Sequence, residues 1–310
     1  MNYRQKYLSA CIAALLGSTS PAWAQTAPNL GAAGNFAVLS APVSGGAVTT
    51  SGSTITGNVG SSGAVTLTDS TITGNVVLTG ALTNNGSTFS GTTSPLPDQV
   101  ATDLNAAYTA LSQPCTQTFI DAAFTGVNLS VNSGVICFPA AVTFTNSVLT
   151  LRGNGPWIFR VGTEAAGALT GKNFSVVMAS GGDACDVFWQ VNAATTLTTS
   201  AFQGTILAGA AITTTGGTFA GRALAKAGVT MTGTVVTGCD VVPPGGALVC
   251  KVEERHGHHK DKDHKKCNQG VGNGPEGCDP GKSNHGNPFW SNDERGGKPG
   301  YPGRKDGSKK

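Results

Sequence analysis

The sequence predicts a mainly β protein built as a β-solenoid of roughly triangular section. Three observations carry this: a repeat of seventeen residues, an alternation of apolar residues with threonine inside each repeat, and a composition poor in charge. Of 310 residues only 12% are charged, 6% are aromatic and 44 are glycine, with a formal net charge of +3. Those charges are unevenly placed. The long central region carries Arg152, Arg160, Lys172, Arg222 and Lys226, with Lys251 at its border, and residues 251–310 hold roughly twice as many basic side chains. All five histidines (His256, His258, His259, His264, His285) also lie near that end. A core without histidine has no Ser-His-Asp, Cys-His or His-metal site, and its few Lys/Arg do not make a nucleic-acid groove. No catalytic residue, metal ligand or cofactor is therefore expected, and the protein is read as a non-enzyme. Threonine, roughly one residue in six of that region, with Gly, Ala, Ser and Val suits repetitive β-structure.

Residues 1–24 read as a secretory signal, with Arg4 and Lys6, a short apolar stretch from Leu8 to Leu16, and Ala22-Trp23-Ala24 before the cleavage point. The expected location is secreted, extracellular, with no membrane span. Leu8-Ser9-Ala10-Cys11 has the letters of a lipoprotein signal but precedes most of the apolar stretch instead of following it. The solenoid domain is assigned to 25–242.

Ser53-Thr54-Ile55-Thr56-Gly57-Asn58-Val59 recurs as Ser70-Thr71-Ile72-Thr73-Gly74-Asn75-Val76, and Ser87-Thr88-Phe89-Ser90-Gly91 follows at the same offset of seventeen. The offset returns in Ala201-Phe202-Gln203-Gly204, Thr218-Phe219-Ala220-Gly221 and Val235-Val236-Thr237-Gly238. Seventeen residues accommodate three short strands with tight corners, so Ile55, Ile72, Phe89, Phe202, Phe219 and Val236 are expected to stack in a continuous core. Each coil has a second unit of the form Val-Thr-Leu-Thr. In a strand alternate residues share a face, so its apolar positions turn inward and its threonines outward. The result is two parallel files: Thr49, Thr66, Thr68, Thr83, Thr143, Thr145, Thr196, Thr198, Thr213, Thr215, Thr230 and Thr232. Thr170 falls in the same register, with Lys172 in the companion file.

Between the two repeat blocks, Val100, Leu104, Ala107, Tyr108 and Leu111 recur at helical spacing, with Pro95 and Pro97 before them and Pro114 beyond. One amphipathic helix is predicted at about 96–112, its apolar stripe docked on the solenoid wall. Asp98 and Asp103 are read as a cap and a solvent-side residue. Trp157, Phe159, Phe188 and Trp189 lie on apolar strands and are read as core, not as a sugar-stacking platform. Arg222 and Lys226 are read as surface residues. Asp183 and Asp186, the close acidic pair of the core, have no companion base, which argues against a polysaccharide-active solenoid enzyme.

Seven cysteines remain after cleavage, in a compartment that permits disulfides. Cys115 and Cys137 flank a short excursion after the helix and form the favoured pair. Cys185 and Cys239 lie about three coils apart on the simple register, too far to bridge. From Pro243 to Lys310 the texture becomes Gly/Lys/His-rich and charged, read as a disordered tail without its own core. His256-Gly257-His258-His259 with His264 and Cys267 is taken as part of that solvated tail instead of a coordination sphere, and contact with a cell surface or matrix is the other role open to it.

The chain resembles the secreted ice-binding (antifreeze) β-solenoids of bacteria, fungi and microalgae. The match is carried by Asn35-Phe36-Ala37-Val38-Leu39, Asp103-Leu104 and Ala107-Tyr108 of the helix, Gly134-Val135-Ile136-Cys137-Phe138 and Trp157-Ile158-Phe159-Arg160. It continues in Val187-Phe188-Trp189-Gln190-Val191, Gly204-Thr205-Ile206-Leu207-Ala208 and Gly221-Arg222-Ala223-Leu224-Ala225. The resemblance implies a right-handed, discontinuous β-solenoid whose coils are not stacked in sequence order, with one long α-helix packed alongside. It implies an ice crystal surface as the partner and inhibition of ice growth and recrystallisation as the activity. The alternative is a non-enzymatic surface or matrix protein in which the solenoid is a spacer and the tail the attachment.

Overall fold

The computed structural model describes residues 25–42, 45–179 and 181–239. The segment 1–24, read from the sequence as a secretory signal, and the segment 243–310, read as a tail, lie outside the described residues. Among the described residues no helix is long and apolar enough to cross a membrane.

Every strand pairing is parallel, and the strands stack in three columns that form the faces of a solenoid. The first column contains the Val-Thr-Leu-Thr units. Its order is 123–125, 142–145, 169–172, 195–198, 212–215, 229–232, 48–51, 65–68 and 82–85. Coils therefore stack out of sequence order. The C-terminal coil pairs with the N-terminal one, Thr230 beside Thr49 in the first column and Val236 beside Ile55 in the second. Val38-Leu39-Ser40 likewise sits between Ala223-Leu224-Ala225 and Val59-Gly60-Ser61 in the third. This seam leaves six rungs of the threonine column on one side and three on the other.

The pattern of side chains explains which face is which. Strands of the first two columns alternate, as in Val65–Thr68 and Thr71–Thr73, where the apolar residues are buried and the threonines are not. Strands of the third column are apolar on both sides, as in Val187–Val191 and Phe36–Ser40, whose residues are all buried. A strand covered on both faces reads as a continuous apolar run. What covers it is the helix α1, Gln99–Ala110. Val100, Leu104 and Ala107 of α1, with Leu96 and Leu111, pack on Leu39, Cys137, Ile158, Phe188, Leu207 and Leu224. The inner sides of all three columns form one core, in which Phe144, Phe174, Phe202 and Phe219 follow one another with ring centroids 4.4, 6.4 and 5.2 Å apart. Trp189 lies 4.0 Å from Phe159 and 5.2 Å from Phe202, and Trp157, Phe159 and Trp189 are fully buried.

Polar groups fasten the helix. Arg160 donates to Gln190 Oε1 and to the Gln113 carbonyl, while Gln190 donates to the Tyr108 carbonyl and Ser112. Burial pushes the Tyr108 hydroxyl up from its ordinary pKa and the Arg160 guanidinium down. Asp103 does more than face solvent: it accepts from the Ala32 amide at 2.7 Å and from Gln99 Nε2, holding the turn Gly31–Asn35 against α1. Those two hydrogen bonds, the Gln99 one first, lower its pKa. Asp98 occupies the N-cap position without a side-chain capping bond.

Two expectations are overturned. Arg222 is buried, not on the surface, and its Nε donates to the Gly34 carbonyl at 2.9 Å. Lys226 is only half exposed, its ammonium 4.8 Å from the centre of the Tyr108 ring. Cys185 and Cys239 are bridged, with Cα atoms 5.7 Å apart, as are Cys115 and Cys137 at 5.8 Å. The register separates the strands near Cys185 and Cys239, but neither cysteine is on a strand. Cys185 is in the 3-10 turn Ala184–Asp186, and Cys239 lies beyond the strand Val235–Thr237. Segments that have left the ladder are not bound by its spacing.

One corner of the triangle is uniform. The residue that ends each strand of the threonine column is followed by one at positive φ in all nine rungs: Gly126, Asn146, Asn173, Thr199, Gly216, Gly233, Gly52, Asp69 and Gly86. Gly and Asn suit this left-handed turn, whereas the β-branched Thr199, at φ 47°, does not. Thr199→Gly is expected to remove a strain of about 1–2 kcal/mol and to return part of it as unfolded-state entropy, about 0.5–1 kcal/mol. The net effect is a rise of roughly 1–3 °C in the melting temperature followed by circular dichroism. A lower melting temperature would show that Thr199 is held by contacts worth more than the strain.

Candidate functional site

The first column presents its outward side chains as two files. The inner file runs Thr143, Thr170, Thr196, Thr213, Thr230, Thr49, Thr66 and Thr83, eight threonines on successive rungs, preceded by Ala123. The outer file runs Thr125, Thr145, Lys172, Thr198, Thr215, Thr232, Ser51, Thr68 and Asn85. None of these side chains is buried. All twelve threonines picked out by their alternation thus share one face. Thr170, in register beside Lys172, joins them, and so do Ser51 and Thr125, which the threonine pattern alone passed over. Thr125 was the harder to find, since its strand begins Ala123-Phe124.

The geometry follows from the ladder. Rungs are spaced about 4.8 Å and the two files about 6.6 Å, twice the strand rise. The eight-threonine file is therefore about 34 Å long. From Thr196 and Thr198 to Thr66 and Thr68, five rungs carry hydroxyls in both files, a patch about 19 Å long. It crosses the seam between Thr230 and Thr49 without a break. Lys172 is the one charged side chain in either file. It projects at the third rung, outside the five-rung patch, and borders it.

Beneath the files, the inward residues lock the sheet. Val142, Phe144, Leu169, Ile212, Val229, Met231, Val48, Val65 and Leu67 are fully or nearly fully buried. Three inward positions are threonines: Thr50 donates to Ser70 Oγ at 3.0 Å, Thr214 and Thr234 share a hydrogen bond of 2.9 Å, and the fully buried Thr195 hydroxyl has no hydrogen-bond partner among the described residues. Valine and threonine side chains on strands have restricted χ1, so the face is stiff before anything binds to it. Chemically the surface offers methyl groups and neutral hydroxyls at a fixed repeat and nothing that titrates within the patch.

Elsewhere the described residues bring together no group of three or more His, Cys, Asp or Glu side chains. The Asp183 carboxylate accepts from the Cys185 amide at 2.9 Å and caps the 3-10 turn there. Trp157, Phe159, Phe188 and Trp189 are all interior.

The family model described as Ice-binding-like matches residues 43–237. Among solved structures, an ice-binding protein from an Antarctic biological consortium is 26% identical, with a TM-score of 0.52 over 69% of this chain and 92% of that one. One from the Antarctic ascomycete Antarctomyces psychrotrophicus is 27% identical, with a TM-score of 0.52 over 68% and 98%. One from an Antarctic bacterium of the Flavobacteriaceae is 30% identical, with a TM-score of 0.53 over 68% of this chain and 47% of that one. A search of curated proteins gives no match.

Proposed function

The chain belongs to the Ice-binding-like family, it is an ice-binding protein of the antifreeze kind, and we propose that it adsorbs to ice through the threonine face. The observation that carries this reading is the unbroken file of eight threonines on successive rungs. A flat hydroxyl-and-methyl lattice restrains water in fixed positions: methyls limit its orientations, and hydroxyls anchor it by hydrogen bonds. Such water joins the surface of the crystal. Molecules held there obstruct growth between points of attachment, so large crystals no longer gain at the expense of small ones.

Two further properties support the reading. A neutral patch does not hold the tightly oriented hydration shell of an ion, which has no place in the lattice of ice. A face already rigid in solution loses little conformational entropy on adsorption. The segment 1–24 directs the chain out of the cell, where ice forms and where its two bridges are stable.

The test is partition. The fluorescently labelled protein, frozen slowly from dilute solution with a non-binding protein of similar size, is expected to be enriched in the ice fraction. Exclusion into the remaining liquid to the same extent as the control would overturn the assignment.

A further inference from the structure

Resting on that reading of the threonine face, we infer that a buried ladder of hydroxyls behind its outer file is a positioning device for ice binding. Sheets twist by about 20–25° per strand, and flat sheets of many strands are unusual unless specific side-chain ladders hold them. A face that matches a planar lattice over several rungs needs such a restraint.

The restraint lies at the left-handed corner. One residue past each turn, the chain places a hydroxyl inward at Thr234, Ser53, Ser70 and Ser87 on four successive rungs, spanning the seam. Thr234, Ser53 and Ser70 are 1–2% exposed. The Ser53 and Ser70 hydroxyls are each used in both directions. Three hydroxyls donate back to the carbonyl of the outer-file residue of their own rung: Ser53 to Ser51 at 3.2 Å, Ser70 to Thr68 at 2.9 Å, Thr234 to Thr232 at 3.3 Å. Three accept an amide from the neighbouring rung: Thr234 N to Ser53 Oγ at 3.2 Å, Ser53 N to Ser70 Oγ at 3.2 Å, Ser70 N to Ser87 Oγ at 2.8 Å.

Two of those carbonyls take a second bond. Gly233 N donates to the Ser51 carbonyl at 2.8 Å and Gly52 N to the Thr68 carbonyl at 2.9 Å. Both lone pairs of the Ser51 and Thr68 carbonyls are therefore occupied, and at these rungs two consecutive corner amides are fixed to the next. The peptide plane behind Ser51 and Thr68 cannot tilt without breaking a bond, so the direction of the outward side chain is set. Ser147 and Ser200 do the same behind Thr145 and Thr198, at 2.9 and 3.0 Å. Apart from the partly exposed Ser87, the residues that carry these hydroxyls are buried, so their contribution to ice binding is made through the position of the file.

Ser53→Ala with Ser70→Ala removes two rungs of the ladder and leaves every surface atom in place. The expected result is an about tenfold higher concentration for inhibition of ice recrystallisation, in a protein still folded at 0 °C by circular dichroism. Labelled protein on a single-crystal ice hemisphere should mark the wild-type planes only faintly, a change that a loss of thermal stability alone does not cause. Ser53→Thr with Ser70→Thr should restore wild-type values, because Thr234 already performs the role with a threonine. If the double alanine variant does not fold, Ser53→Ala alone carries the test. Folded alanine variants of wild-type potency, or threonine variants as weak as alanine ones, would overturn the inference. A threonine-face variant that keeps full activity would instead sink the reading of the face itself, so the two failures are separable.

Discussion

Thr230→Tyr, or Thr213→Tyr, is expected to raise the concentration needed to inhibit ice recrystallisation by about tenfold or more, which corresponds to a loss of at least about 1.4 kcal/mol of adsorption free energy. Both residues lie inside the five-rung patch, with Thr213 paired to Thr196 and Thr230, and Thr230 to Thr49. A phenol standing on the file lifts the rungs on either side away from the crystal and leaves no stretch of more than three rungs free to meet it. The backbone has no reason to change, since the substituted side chain points to solvent, and the circular dichroism should be that of the parent. Thr71→Tyr and Thr218→Tyr, exposed on the neighbouring column, serve as controls and should leave the activity near its starting value. The reverse pattern, with the neighbouring column sensitive and Thr230 tolerant, would move the working surface to that column.

Phe202→Ala should have the largest effect on stability. The ring is 1% exposed and sits between Phe174, Trp189 and Phe219, at centroid distances of 6.4, 5.2 and 5.2 Å. Truncating a buried phenylalanine costs about 3–5 kcal/mol, because partners on all sides lose contacts and the cavity closes only in part. For a chain of this length the melting temperature should fall by roughly 10 °C. Coils contact mainly their neighbours, so the loss should be concentrated around this rung and the transition should broaden or split. At 0 °C, with the protein folded, the potency per molecule should be unchanged. A fall of less than about 2 °C would mean that the core repacks freely there.

Periodicity reached as far as the coils kept one length. The blocks 48–94 and 195–237 repeat every seventeen residues, and their threonines, their inward Ile55, Ile72, Phe202 and Phe219, and the helix between the blocks were all legible. From 117 to 186 the chain makes excursions at its corners, such as Arg152-Gly153-Asn154-Gly155, where the pairing register shifts between Asn132 and Gly134. Spacing ceases to give register there, which is why Thr125 escaped and why the Cys185 bridge was judged out of reach. Arg222 was misread for a different reason. Its partner, the Gly34 carbonyl, is 188 residues away and adjacent only because the coils stack out of sequence order. The order itself leaves no trace in periodicity, since a solenoid wound in sequence order would have the same repeats. The corner serines Ser53 and Ser70 belong to the exact repeat, yet their inward direction depends on the left-handed residue before them, and that is a property of the backbone.

The seam has a consequence for how the molecule can be handled. A solenoid wound in sequence order has its chain ends at the two ends of the rod, whereas here Asn35 enters and Cys239 leaves beside the seam, and both line one groove with Gly34 and Asn58. That groove adjoins the corner between the second and third columns, the edge of the triangle opposite the threonine side. A linker or dye joined beyond Cys239 starts at the back of the rod. Molecules immobilised from that point should stand with their threonine side outward, as a coated surface meant to catch ice requires.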